Sequence, residues 1–115
     1  MKTIKTKRIY EDPAKHDGYR ILVDRIWPRG VSKQDAKLDD WNKNIAPSEK
    51  LRKWFDHDPD KFEEFEEKYQ KELENKSEDL NRIREHAKSK TVTLLYGAKD
   101  TKHNQAVVLK TVLEA

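Results

Sequence analysis

The chain has 115 residues, 41% of them charged and 34% hydrophobic, and no cysteine. One domain spanning 1–115 is the expectation from size, disulfides and cysteine-bound metals are excluded, and no run approaches the roughly 20 apolar residues of a membrane helix. The net charge of +3 is uneven, +5 over 1–38, −4 over 39–88 and +2 over 89–115, so two basic ends brought together would form a face suited to an anion.

Met1 to Lys5 carry no apolar signal run, so a cytoplasmic protein is expected. Residues 3–9 are rich in β-branched side chains and predict a strand ended by Glu11-Asp12-Pro13. His16-Asp17-Gly18 predicts a turn. Residues 19–23 predict a second strand, and its run Ile21-Leu22-Val23 predicts burial on both faces, as in a parallel sheet. A loop from Asp24 to Val31 follows, then a short helix capped by Ser32 and running to about Leu38. Around Trp41 and Ile45 the pattern fits helix and extended chain equally.

Ser48 can cap a helix carrying Leu51, Trp54 and Phe55, and His57-Asp58-Pro59 predicts a helix-to-helix turn. Phe62, Phe65, Tyr69 and Leu73 then form an amphipathic stripe. Ser77 can cap another helix, with Leu80, Ile83 and Ala87 inward. Residues 91–96 predict the clearest strand, Gly97 a tight exit, and Asp100 or Thr101 the cap of a last helix carrying Ala106, Leu109 and Leu113. Strands separated by helical crossovers imply an α/β fold, a small, mostly parallel sheet flanked by helices.

The two best strands run into the two most unusual loops, 24–32 and 96–104. In a parallel sheet both lie at its carboxyl end, where open α/β sheets bind ligands, and each leads toward a helix N-terminus. Together they offer Arg25, Arg29, Lys99, Lys102 and His103, with Asp24 and Asp100 to orient them. Guanidinium forks suit phosphate or carboxylate oxygens. The expected ligand-binding residues are Arg25, Arg29, Tyr96 and Asn104. His103, placed in the first turn of the last helix, would move a proton beside Asp100 if a reaction occurs. Against this stand structural readings: Arg25 pairing with Asp24, Trp27-Pro28 as a packed anchor, and Asp100 and Asn104 as caps. No metal-ligand spacing, P-loop, nucleophile elbow or dinucleotide glycine fingerprint is present, so no metal or cofactor is expected.

Three segments are distinctive. They are Tyr19 to Val31, which contains Asp24-Arg25-Ile26-Trp27-Pro28-Arg29-Gly30; Ala46-Pro47-Ser48 with Leu51 to Pro59; and Thr93 to Asp100 with His103-Asn104-Gln105-Ala106. Together they closely resemble the YeaO-like branch of domain-of-unknown-function family 488. The resemblance covers nearly the whole chain. It implies a small bacterial or archaeal cytoplasmic α/β protein and brings no reaction with it. The missing cysteine contrasts with other branches and speaks against thiol chemistry.

The leading functional reading is a site for a small phosphate- or carboxylate-bearing ligand, with binding alone and catalysis both open. The alternatives are a nucleic-acid-binding module, disfavoured by the acidic helix face, and a protein-interaction module using Trp41 and Trp54.

Overall fold

The computed structural model describes residues 3–115. Four strands, β1 (Ile4–Arg8), β2 (Tyr19–Leu22), β3 (Asp40–Trp41) and β4 (Val92–Tyr96), form one sheet in the order β1-β4-β2-β3. All three pairings are parallel. The expected parallel pairing of strands 19–23 and 91–96 is therefore present, with Ile21 opposite Leu94 and Leu22 opposite Leu95. The ambiguous segment at Trp41 is the two-residue edge strand β3.

Alternation along the strands explains the continuous aliphatic runs. Ile21, Val23, Val92, Leu94 and Tyr96 face the larger core with the helices α2 (Glu49–Phe55), α3 (Phe62–Leu73), α4 (Ser77–Ala87) and α5 (Gln105–Glu114). Leu22 and Leu95 point to the opposite face, against Ile9 and Ala36 and the partly buried Trp27, Val31 and Trp41. Both faces of the sheet are covered, so neither strand shows a polar side. The short α1 (Lys33–Ala36) closes the second face, and its Ser32 cap accepts from the Asp35 amide at 3.0 Å.

The α3 stripe is as the periodicity requires: Phe65, Tyr69 and Leu73 are buried, while Phe62 at its start is only partly so. The turn before it is built from two left-handed residues, Asp56 (φ 48°) and His57 (φ 55°), then Asp58, whose carboxylate accepts from the Asp60 amide. Gly18, at φ 67°, sits where an added Cβ would lie 2.1 Å from the Thr91 carbonyl oxygen. That oxygen receives the Tyr19 amide that opens the β2 pairing.

Arg20, an arginine inside an apolar segment, is a structural residue. Its guanidinium is buried and donates to Asp17 at 2.5 Å and to the Ala36 carbonyl at 2.8 Å. Among the described residues no helix is long and apolar enough to cross a membrane.

Candidate functional site

The parallel sheet brings the loops after β2 and β4 to one end, as the strand pattern requires. Trp27 and Trp41 fix the first loop. The Trp27 indole donates to the Val31 carbonyl, the Trp41 indole to the Asp24 carbonyl, each at 2.7 Å, and the two rings meet edge to face. Trp27-Pro28 is thus the anchor that its composition suggested, and Pro28 is buried.

Asp24 joins the two loops. Its Oδ2 accepts the Gly97 amide at 2.8 Å, and its Oδ1 accepts the side-chain amide of Gln105, the first residue of α5. A Cβ at Gly97 would stand 2.9 Å from Asp24 Oδ2, so a larger residue there would push the carboxylate back from the amide. Burial pushes the Asp24 carboxyl up to about 6, against the two hydrogen bonds that favour its ionised form. Arg25 does not pair with it. The Arg25 guanidinium reaches across to the chain before α2 and donates to the carbonyls of Pro47 at 2.9 Å and Ala46 at 3.4 Å.

Between these loops and α2 lies a cleft of about 500 Å³, within the ordinary range for small-molecule sites. Its walls are largely apolar, with Trp27, Pro28, Pro47, Phe55 and Phe65 among them. Phe55 and Phe65 stack at 4.2 Å. Two large apolar side chains at the cleft stay unusually open to solvent, Tyr10 (45% exposed) and Ile26 (56%). The acidic and basic lining residues fall into two sets. Lys53, Asp56 and His57 are exposed at the rim, whereas Asp24, Arg25 and Arg52 are partly buried. Arg52 lies on α2, and its Nε–H is buried with no acceptor among the described residues.

Of the ligand residues expected from sequence, Arg25 lines this cleft and the others do not. The Arg29 side chain is exposed, while its carbonyl receives the Tyr10 hydroxyl at 2.9 Å. Tyr96 is buried in β4. Asn104, 1% exposed, is the cap of α5 and accepts the Val107 amide at 3.0 Å. The last helix therefore starts at Gln105, not near residue 101, and His103 precedes it instead of occupying its first turn. The reason is that Asp100 caps a turn of its own, accepting the amides of Lys102 and His103. Those amides, that of Lys102 foremost, hold the Asp100 carboxyl below its usual range. His103 is half-buried, with Nδ1 2.9 Å from Asp100 and its ring edge-on to Phe62. Asp100 and His103 are thus brought together, but neither they nor Lys99, Lys102 or Arg29 line the cleft.

The sequence reading missed Arg52 and Gln105 as lining residues. Little in the sequence marks Arg52, whose neighbours one helical turn away are Ser48, Glu49, Phe55 and Asp56. His57 serves both as a turn residue and as part of the cleft rim.

Comparison with known proteins places the chain among relatives along nearly all its length. The family described as "Inactive DUF488-N3 subclade" matches residues 3–115. A protein of Escherichia coli (strain K12) named "Uncharacterized protein YeaO" is 46% identical over 106 residues, covering 92% of each chain. Uncharacterized proteins of Mycobacterium bovis and Mycobacterium tuberculosis are each 39% identical over 110 residues, covering 96% of this chain and 92% of theirs. No solved structure matches the chain. A match that runs from the first described strand to the last helix, through the loop that carries Asp24 and the α2 segment that carries Arg52, makes this chain a YeaO-like member of the DUF488 family.

Proposed function

We propose that the protein binds a small molecule bearing a carboxylate or phosphate in the cleft at the carboxyl end of its sheet. The observation that carries the reading is the buried, acceptorless Nε–H of Arg52 on the wall of an apolar cleft. A buried donor without a partner costs about 1–3 kcal/mol, and a ligand oxygen would recover it once the guanidinium turns its Nε–H into the cleft. A guanidinium offers that oxygen a directional, charge-assisted contact. The aromatic walls supply the apolar surface that such sites use for the rest of the ligand. The family's description as inactive supports binding without turnover. Asp100 and His103, away from the cleft, have no part in this reading.

The test is thermal unfolding with phenyl phosphate, 3-phenylpropionate and inorganic phosphate, on the wild type and on Arg52→Met, which keeps the stem and removes the charge. A saturable rise in Tm with at least one aromatic anion, lost in Arg52→Met, is the expected result. Equal shifts in both proteins, or none in either, would overturn the assignment.

A further inference from the structure

We propose that the ligand of this cleft is a zwitterion with an apolar body, of the α-amino acid type, its anionic group on Arg52 and its ammonium group on Asp24. The inference rests on the anion-binding reading above and names the ligand class.

Three charged side chains that line the cleft are partly buried, and their partners separate them. Arg25 spends its guanidinium on the backbone carbonyls of Ala46 and Pro47. Asp24 and Arg52 remain, opposite in sign and lining one cavity. Among the described residues neither takes part in an ion pair, with the other or with any third group. Asp24 has a single N–H on each of its oxygens, both from uncharged amides. A carboxylate oxygen has two lone pairs, so each retains one acceptor site. Arg52 retains its buried donor.

A ligand with only an anionic group satisfies Arg52 and brings like charge toward Asp24. A ligand with only a cation does the reverse. A molecule carrying both compensates both walls at once and leaves no unpaired charge in the apolar cleft. Tyr10, Ile26 and Trp27, which keep accessible apolar surface at the cleft, then take the side chain. The exposed Lys53, Asp56 and His57 lie at the rim, where water screens them.

Isothermal titration with three probes of one skeleton reads this directly: L-phenylalanine carries both charges, 3-phenylpropionate only the anion, 2-phenylethylamine only the cation. The expected result is that phenylalanine binds the wild type about ten-fold or more tightly than either partner, the ratio one charged hydrogen bond supplies. Asp24→Asn is expected to abolish that advantage, weakening phenylalanine and, with the like charge gone, tightening 3-phenylpropionate. Should Asp24→Asn fail to fold, the wild-type ranking of the three probes decides alone. If 3-phenylpropionate binds as well as phenylalanine and depends on Arg52, the zwitterion is wrong and the anion site stands. If none of the three binds at millimolar concentration, the zwitterion is wrong, and the anion site falls with it only if phenyl phosphate also leaves the Tm unchanged.

Discussion

Asp24 and Asp17 are two carboxylates that the fold treats in opposite ways. At Asp17, burial pushes the carboxyl up, but hydrogen bonds from the Ala14 amide, Lys7 and Arg20 outweigh it and hold the group below its usual range. At Asp24 burial wins, and the carboxyl rises from 3.8 to about 6. The difference is the company: two cations touch Asp17, and only neutral amides touch Asp24. In the window between those two values the folded chain holds a proton on Asp24 that the unfolded chain has released. Stability therefore increases as pH falls from about 6 toward 4, and Asp24 penalises the folded state above that window, by at most about 3 kcal/mol. Urea denaturation of the wild type and Asp24→Asn at neutral pH and near pH 4 should show the wild type gaining on the variant as acid is added. A difference that ignores pH would mean that Asp24 is well solvated in the folded chain.

Among the elements, α3 ties the core to the cleft. Phe65 is 1% exposed, stacks on Phe55 and also lines the cavity. Phe65→Ala is expected to cost about 3–5 kcal/mol in a denaturant melt, and a loss below about 1 kcal/mol would mean that the neighbouring rings collapse into the space. The helices and strands were legible because their apolar spacing is a local property, seen in Phe65, Tyr69 and Leu73 on α3 and in Ile21, Leu22 and Val23 at β2. The start of α5 was less so. Asp100, Thr101 and Asn104 are all good caps by type, and only the turn that Asp100 builds for itself leaves Asn104 to serve the helix. The end of the sheet that carries the cleft followed from strand order, but its lining did not. Arg29 and Arg25 are similar neighbours in sequence, yet the packing of Trp27 and Pro28 between them leaves one exposed and the other on the cleft wall.

For the molecule as a whole, protection should grade outward from β4. All five of its residues are buried, and it pairs with both β1 and β2. β3 contributes two partly buried residues at an edge, and α1 a single turn. Amide hydrogen exchange should therefore be slowest at Thr93 to Leu95 and fast around residues 33–41, since local opening samples the thinly packed layer first. Uniform protection across both regions would show that the sheet and the α1 layer open only together.

The strand order also sets a schedule. β1 and β2 are separated in the sheet by the width of β4, and β4 is residues 92–96 of 115. During synthesis the first two strands emerge early and have no place to pair with one another. Helices α2, α3 and α4 are made before the sheet that they cover has its middle. The decisive insertion is thus a late event with long loops to close, the kind of topology that folds slowly for its size. Until β4 arrives, the apolar stripes of the earlier helices have no sheet to lie on, and the nascent chain depends on its abundant surface charge to stay apart from its neighbours.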